Sequence, residues 1–528
     1  MTTKHVHYPA ELGGKCLYCG GEVEEAYVTA GHRYTDFSGD VNEIRHLMRC
    51  TSPACELYSV PYNPTPSEVL PFKQYSLAVW KWIAEEYKIY NQNAGQVQAR
   101  VQEQFGLDIS PNTIRNYMDA IDVLVTNEID LKTAQLLRIQ GIILLALDGQ
   151  KPEENGKALW IFVDLVSNRV LKVAVLDSAD SGTLHEIVEG ILQRYHAKMV
   201  GMVSDKPNNL TKLHNDWYPA IPQQYCHFHF LQNLWNHIEV RDTGLHQQLS
   251  KGVKHLRVVS APKQATVDLG GGRGKVPVRE AFKGVEQDLR RIVKGQGKKF
   301  DRLRGVEAYQ ALEIYAGRMD VPLAGAGPES KGMALLRSTA GDIRQLLEGA
   351  RETCGDCQHL DQHFQTIRAW LGEGCPSKGS KLCAGDALFE QLWGEVRGYG
   401  SAAGRGDLRT FLLHKGTPRA SVEQEFVRLY DSYRDGLFAY YSFPAAIRAN
   451  SPMERAIGQE KGRLRQRAGK ANVGAQIRTR GEFELKQVYA GRDEVKAIIR
   501  RMGPAYSPED LKAGLQQLAG RRTAETEG

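Results

Sequence analysis

No apolar run in this sequence approaches the length of a membrane span, since the longest lies around residues 141–147. Residues 1–7 contain no apolar signal segment, so we expect a cytoplasmic protein without a membrane partner. The net charge is only +6 over 528 residues, so the position of the charge matters more than its total. With 42% hydrophobic and 25% charged residues, wholesale disorder is excluded. A chain this long predicts several domains.

Nine cysteines are present, and in a reducing compartment paired cysteines bind metal more often than they form disulfides. Cys16 and Cys19 have two residues between them, and Cys50 and Cys55 have four. Because tetrahedral zinc takes four soft ligands, this spacing predicts a zinc-binding (zinc ribbon) domain over residues 1–62. Four cysteines close the site, so the predicted role of the zinc is structural. Four buried cysteines without metal are the alternative.

A helix-turn-helix is predicted after a proline-rich linker that ends near residue 71. The segment 97–117 has an apolar stripe, a glycine turn, and a second helix that Ser110 caps and Pro111 begins. We assign residues 63–137 to this DNA-binding domain, although a helical hairpin that only packs on its neighbours has the same pattern. The residues expected to face the major groove are Asn112, Thr113, Arg115 and Asn116.

From residue 141 the pattern becomes α/β, with three apolar strands, a helix, a fourth strand and a short strand near Tyr225. This is the order of a ribonuclease-H-like sheet. Asp148 ends the first strand and Asp205 ends the fourth, and that order would bring them side by side. Carboxylates at the carboxyl ends of strands lie where ligands bind in α/β sheets. Either Asp alone is also typical of a turn or helix cap.

A third acidic residue, Glu454, opens a basic stretch. Residues 446–480 contain nine Lys or Arg but only two acidic residues, Glu454 and Glu460. Such a run is often a solvated face, yet a phosphate backbone lying across it would also explain it. Glu460 is the rival for the third acidic position and is interpreted as a solvated partner of nearby arginines. The expected DNA contacts are Arg455, Lys461, Arg463, Arg465 and Arg467.

Four motifs resemble those of DDE-type DNA transposases, the group that includes Mutator-like and bacterial insertion-sequence enzymes. The motifs are Leu147-Asp148-Gly149, Ser204-Asp205-Lys206, Tyr225-Cys226-His227-Phe228-His229 and Asn450-Ser451-Pro452-Met453-Glu454. The resemblance is strongest over residues 140–238 and 446–470. It implies a ribonuclease-H-like core over 138–238, a mainly α-helical insertion over 239–445, a final basic helix of the core over 446–490 and a helical tail over 491–528.

The resemblance implies a mobile-element enzyme that cleaves DNA at transposon ends and transfers the strand into target DNA. Asp148, Asp205 and Glu454 would be its catalytic residues and would hold two Mg²⁺ or Mn²⁺ ions. Double-stranded DNA is the implied partner, in the cytoplasm of a bacterium at the nucleoid. A homodimer or higher oligomer on DNA is expected because two ends must be paired. The alternatives are a domesticated transposase that regulates as a DNA-binding protein, and a ribonuclease-H-like nuclease.

Two further groups of possible ligands have open roles. Cys226 and His229 are half a metal site by residue type, and we expect a structural role near the active site. A second zinc could be held by Cys354, Cys357, Cys375 and Cys383, with His359 and His363 as substitute ligands. The glycine-rich segment 269–275 lacks the helix and Lys-Ser/Thr of a P-loop, so an ATPase is not supported.

Overall fold

A computed structural model describes most of the chain as two compact units. Unit 1 comprises Met1–Ile221 and Asn450–Gly528, and unit 2 comprises Pro222–Ala449. The described residues are 1–70, 73–150, 158–268, 275–295, 297, 299–319, 331–398, 418–444, 447–448, 451–470, 472–503 and 508–527. The motif residue Asn450 and the glycine run 269–274 lie outside them. Helices and sheets both occur, so the predicted mixed α/β class is confirmed. Among the helices of the described part, none has the length and apolar character to cross a membrane.

Unit 1 begins with a four-stranded sheet built around one long strand. Its strands are β1 (Thr2–Val6), β2 (Val23–Val28), β3 (His32–Asp36) and β4 (Gly39–Cys50). β1 pairs with β4 in parallel, and β2 and β3 run antiparallel to β4. The buried cluster of this region contains Cys16, Cys50 and Cys55. A core this small needs a further crosslink to be stable.

Three helices follow: α1 (Leu77–Lys88), α2 (Ala94–Phe105) and α3 (Pro111–Gln140). The Ser110 side chain accepts a hydrogen bond from the Thr113 backbone N–H at 3.1 Å, and Pro111 is the first helical residue. The predicted start of the second helix is therefore confirmed. α2 ends at Phe105 and is capped by Gly106, whose φ of +68° is a left-handed conformation that favours glycine. The apolar stripes meet in a core that includes Trp80, Ile83, Val97, Val101 and Ile114.

The central sheet of unit 1 has the strand order β7-β6-β5-β8. Its strands are β5 (Ile142–Gln150), β6 (Ala158–Asp164), β7 (Arg169–Leu176) and β8 (Lys198–Ser204). β6 runs antiparallel to β5 and β7, whereas β5 and β8 are parallel. Two helices accompany the sheet, α4 (Ser181–Tyr195) and α5 (Asn208–Trp217). The predicted four strands and the helix between the third and fourth are confirmed.

Unit 2 is mainly helical, as predicted for the insertion. It begins with the short strand β9 (Gln223–Tyr225) and the long helix α6 (His227–His255). The boundary predicted between residues 238 and 239 falls inside α6, because the helix continues unbroken through it. The later elements are α7 (Arg257–Ser260), hairpin β10 (Thr266–Asp268) and β11 (Lys275–Pro277), α8 (Val278–Ala281), α9 (Lys283–Lys294), α10 (Arg304–Arg318), α11 (Lys331–Glu348), α12 (Arg351–Gly372), α13 (Lys378–Gly398) and α14 (Pro418–Tyr433).

The chain returns to unit 1 in four helices. They are α15 (Ser451–Ala468), α16 (Gly474–Ala490), α17 (Arg492–Arg501) and α18 (Pro508–Glu527). The segment predicted as one final basic helix is thus divided into α15 and α16. α16 lies close to the sheet, since a Cβ on Gly481 would stand 3.1 Å from Leu159 Cδ2 of β6. A side chain at this position would require Leu159 to shift by a few tenths of an ångström.

A buried ion-pair network joins the helices of unit 1 that precede unit 2 in sequence to those that follow it. Lys88, at the end of α1, pairs with Asp122 of α3 and, at 3.0 Å, with Glu484 of α16. Arg467 of α15 reaches the same Glu484 oxygen at 2.8 Å. Burial disfavours the ionised carboxylate, but the positive charges of Arg467 and Lys88 outweigh it and hold the pKa of Glu484 well below its usual range.

Arg480 of α16 extends this network to a further helix. Its guanidinium pairs with Asp119 and Asp122 of α3 and donates to the Tyr87 hydroxyl oxygen at 2.7 Å. Arg522 of α18 also pairs with Asp119, at 2.7 Å. Helices α1, α3, α15, α16 and α18 are therefore tied together by charges that lie largely out of water.

Replacing Lys88 with Met should strongly destabilise unit 1, because Asp122 and Glu484 would lose a partner in the interior. We expect the free energy of unfolding to fall by about 3–5 kcal/mol. Lys4→Met is the matched control, since Lys4 and Glu68 form an exposed pair with side chains 41% and 55% accessible, and it should cost about 0–1 kcal/mol. Urea unfolding followed by circular dichroism measures both, and equal losses would contradict the role of the network.

Candidate metal centres and nucleic-acid interface

Four cysteines of the N-terminal sheet converge on one point. Cys16 follows a 3₁₀ turn, Cys50 is the last residue of β4, and the four sulfur atoms lie within 4.8 Å of one another. The Cys16 and Cys55 sulfurs are 3.8 Å apart, and those of Cys19 and Cys50 are 3.6 Å apart. Tetrahedral zinc with Zn–S bonds of about 2.3 Å requires sulfur separations of about 3.8 Å. The predicted cluster is confirmed, and it is compatible with a structural zinc.

Hydrogen-bond donors surround these sulfurs. The Tyr62 hydroxyl donates to Cys16 Sγ at 3.2 Å, and this bond is the main cause that lowers the pKa of Cys16 to about 6. Backbone N–H groups donate at 3.4 Å to Cys50 and Cys55, from Ser52 and Leu57 respectively. Such donors favour the thiolate form that a zinc ligand requires, but burial opposes them and raises the pKa of Cys55 to about 12. Sequence spacing identified the cysteines but gave no signal for Tyr62.

Substituting one of the four ligands should remove this zinc. We expect Cys50→Ser to lose one equivalent of bound zinc per chain, because a three-cysteine site binds zinc far more weakly, and to unfold the N-terminal sheet. Cys383→Ser is the control, since Cys383 is exposed on α13 and belongs to no cluster of possible metal ligands among the described residues. Elemental analysis of purified protein measures the zinc. Unchanged zinc in Cys50→Ser would refute the assignment.

Asp148 and Asp205 lie at the same edge of the central sheet. Leu147 of β5 stands opposite Ser204 of β8 in the parallel register; Asp148 is the next residue of β5, and Asp205 directly follows β8. Both carboxyl groups are half-buried. The register of the sheet confirms that the first and fourth strands are neighbours. Asp148 does not end its strand as predicted, because β5 continues to Gln150 and Asp148 pairs with Ile161 of β6. Burial, and then the negative charge of Asp148, raises the pKa of the buried Tyr489 hydroxyl on α16. Tyr489 was not predicted.

Glu454 belongs to the same unit as the two aspartates, in the first turn of α15, and is half-buried. Among the described residues, the oxygens of Asp148, Asp205 and Glu454 do not form a group within 4.8 Å of one another. The three carboxylates are thus not assembled around one ion.

Glu460 is not a solvated residue, and its interpretation as a solvent-exposed partner of arginines is wrong. Its side chain is 0% exposed, and neither carboxyl oxygen has a hydrogen-bond partner within the described part of the chain. One oxygen would lie 3.3 Å from a Cβ on Gly481. Burial, and then the negative charge of Glu484, raises the pKa of Glu460 well above its usual range. A carboxyl group whose environment favours the protonated form is a poor ligand for a hard cation.

Glu460→Gln should stabilise the protein at high pH. Because folding raises the pKa of Glu460, its contribution is fully present below the unfolded value of about 4.3 and is lost as the pH rises through the folded value. The gain in melting temperature over wild type should therefore be larger at pH 8 than at pH 4.

The matched variant is Glu482→Gln, which should have the opposite sign. Glu482 is largely enclosed, with its side chain 11% exposed, but Lys486 and Arg521 overcome the effect of burial and lower its pKa to about 2. Its contribution is present above the unfolded value of about 4.3 and is lost as the pH falls toward 2. Glu482→Gln should lower the melting temperature at pH 7. The same sign for both variants would contradict these environments.

The basic residues of α15 do not share one environment. Arg455 and Arg465 are exposed, and Lys461 and Arg463 are half-buried. Arg467 is different, because its side chain is 10% exposed and pairs with Glu484. It also stacks on the Tyr87 ring at 4.8 Å. We therefore remove Arg467 from the expected DNA contacts, since it is held inside unit 1.

The predicted recognition residues occupy the first turns of α3. Asn112, Arg115 and Asn116 are exposed, whereas the next residue, Tyr117, is buried in the core beneath them. Thr113 is half-buried, and its hydroxyl shares a hydrogen bond with the Ser110 hydroxyl at 2.9 Å. Three of the four side chains are thus accessible to a ligand, while Thr113 contributes to the helix cap.

Cys226 and His229 belong to unit 2, at the beginning of α6. Cys226 is fully buried at the N-cap, and His229 is half-buried. Between them, the buried His227 Nε2 lies 2.6 Å from the Leu437 carbonyl oxygen, and burial lowers the pKa of His227 to about 4. His227 is therefore neutral at pH 7 and donates this hydrogen bond. The sequence motif drew attention to Cys226 and His229 and gave no signal for this contact of His227.

The four later cysteines do not gather into a second zinc cluster within the described residues. Cys354 and Cys357 are buried in the core of unit 2, and burial raises their pKa values to about 11 and about 12. Both are therefore thiols at neutral pH and behave as core residues.

No protein-family model matches this chain, and no curated protein matches it.

Proposed function

We propose that this protein is a DDE-type DNA transposase that cleaves transposon ends and transfers the strand into target DNA. The observation that carries the proposal is the position of Asp148 and Asp205, each directly after a paired residue on adjacent parallel strands. Acidic residues at this edge of an α/β sheet stand where a ligand can approach the strand ends. The strand order β7-β6-β5-β8 also supports a ribonuclease-H-like core.

Glu454 is the third catalytic residue in this proposal, and Glu460 is not. Glu454 is half-buried at the start of α15, whereas Glu460 is fully enclosed and burial raises its pKa, which disfavours the ionised form that a metal ion binds. The choice between them, which sequence context alone favoured, gains support from burial and charge.

The donor chemistry of these carboxylates fits Mg²⁺ or Mn²⁺. Magnesium keeps several of its waters and binds through one or two carboxylates, so the three groups need not contact one another. When two such ions are bound, they stabilise the attacking and leaving oxygens of an in-line displacement. The protein contributes the positions of the carboxylates: the sheet register holds Asp148 beside Asp205, and the ion-pair network holds α15.

The predicted helix-turn-helix domain and the basic helix α15 are hydrogen-bonded to each other within unit 1. This contact supports the proposal that both bind the same DNA. Asn91, in the turn before α2, donates from Nδ2 to the Gln466 side chain at 2.8 Å and to the Arg463 carbonyl oxygen at 3.2 Å. The helix-turn-helix and the basic helix α15 therefore contact each other. In the proposal, Asn112, Arg115 and Asn116 read base edges, and the exposed side of α15 contacts phosphates.

The remaining roles follow from this reaction. The zinc ribbon and the helix-turn-helix bind transposon ends as double-stranded DNA. The protein acts on the bacterial nucleoid, as a homodimer or higher oligomer, because two ends must be joined in one complex.

The test is strand cleavage and joining by purified protein with Mg²⁺ and a duplex that carries the DNA flanking the gene. We expect Asp148→Asn and Glu454→Gln to lose at least about 100-fold in rate, because several kcal/mol of charge stabilisation disappear. Glu460→Gln is the control and should retain activity, since this group binds no ion in the proposal. Gel analysis of nicked and joined products measures all of these rates.

Other outcomes distinguish the alternatives. A footprint on the flanking DNA without nicking or joining would overturn the enzyme and identify a DNA-binding regulator. Cleavage of nucleic acid without any joining would identify a ribonuclease-H-like nuclease. A footprint that persists in Asp148→Asn while joining is lost supports the transposase.

A further inference from the structure

Two helices of unit 2 bring two imidazoles and a buried carboxylate to one point. His359 and His363 lie one turn apart on the same face of α12, and their Nε2 atoms are 2.7 Å apart. Glu423 of α14 is 0% exposed, and its Oε1 lies 3.2 Å from His359 Nε2 and 3.7 Å from His363 Nε2. Nitrogen and oxygen atoms from separate helices thus form a compact triangle.

We propose that His359, His363 and Glu423 bind a divalent transition metal ion, with zinc as the preferred ion. Zinc bonds to nitrogen and oxygen of about 2.0–2.1 Å place tetrahedral ligands about 3.3 Å apart. The three separations in this triangle, 2.7, 3.2 and 3.7 Å, lie on both sides of that value. Small rotations of the side chains bring all three atoms onto one ion.

The ligand types select the class of metal. Two imidazoles and one carboxylate suit zinc and its neighbours in the transition series, whereas Mg²⁺ and Ca²⁺ prefer an all-oxygen set. Two facing Nε2 atoms can share only one proton between them, but a cation attracts both lone pairs and the carboxylate at once. Three protein ligands leave a fourth position for water or an incoming group.

Arg419 is the charged neighbour of this site. Its Nε lies 3.5 Å from Glu423 Oε1 on the same helix, one turn away. This guanidinium balances the carboxylate in the absence of a cation but offers no lone pair to a metal. It therefore serves as a charged residue beside the site that is not a ligand.

The metal would connect two helices that are distant in sequence. His363 and Glu423 are 60 positions apart (423 − 363), and both helices also meet in a hydrophobic core that includes Phe364 and Phe426. A bond through the ion closes a long loop, which restricts the unfolded chain more than a short-range contact does. The site thus crosslinks α12 and α14.

The test is zinc binding by the full-length protein after chelation and dialysis. Wild type should take up two equivalents of zinc per chain, one for the four cysteines and one for this site. His363→Ala and Glu423→Gln should each retain one equivalent and weaken the second binding event by at least about 100-fold. Arg419→Gln should keep both. Elemental analysis and zinc titration give the stoichiometry and affinity.

Cobalt loading of wild type provides a measurement that does not depend on the folding of any variant. A second equivalent of Co²⁺ bound by nitrogen and oxygen should give tetrahedral ligand-field bands without additional thiolate charge-transfer absorption. One equivalent in wild type, absence of those bands, or two equivalents in His363→Ala would overturn the proposal. Loss of this metal with DNA joining intact would leave the proposed transposase unaffected.

Discussion

Glu484 and the cations around it form the interaction on which the arrangement of unit 1 depends. Their charges lie out of water, so each must keep its partner. Lys88 precedes the central sheet in sequence, whereas Arg467 and Glu484 follow unit 2. The pairing therefore holds the returning segment of the chain against helices formed some 400 residues earlier, a separation of 396 residues for Lys88 and Glu484. Hydrophobic packing alone would fix the relative positions of these helices less uniquely.

The position of α15 follows from that constraint. Arg467 anchors one end of the helix inside the unit, while Glu454 lies in its first turn. Gly481 lets α16 approach Leu159 of β6 closely, and the buried carboxyl group of Glu460 lies beside the same glycine. The same helix thus carries a half-buried carboxylate, a fully enclosed one and exposed basic residues. Neighbouring residues of α15 have different environments because one side of the helix packs inside unit 1 and the other side faces solvent.

Much of the fold follows from local sequence pattern. The strands of the central sheet, the Ser110 cap of α3 and the cysteine cluster were predictable because apolar periodicity, capping and ligand spacing act over a few residues. The environments of Glu460 and Arg467 were not predictable, since their neighbours come from α16 and α1. Glu423 gave no signal for the same reason, because its imidazole neighbours lie on α12. Long-range pairing determines which charged residues are enclosed, and one sequence does not reveal it.

Helix α3 also fixes the distance and the rotation between its own first turns and the central sheet. It carries Asn112 and Arg115 in its first turns and runs unbroken to Gln140, where Gly141 leads into β5. Thirty residues span about 45 Å, the length of roughly 13 base pairs of B-form DNA. One additional residue would rotate the first turn by about 100° relative to the sheet. For a duplex bound as proposed, the length of α3 and the rotation along it fix where the recognition residues stand relative to the carboxylates of the sheet. The distance on the DNA between the site that is read and the site that is cut would therefore be set by the protein.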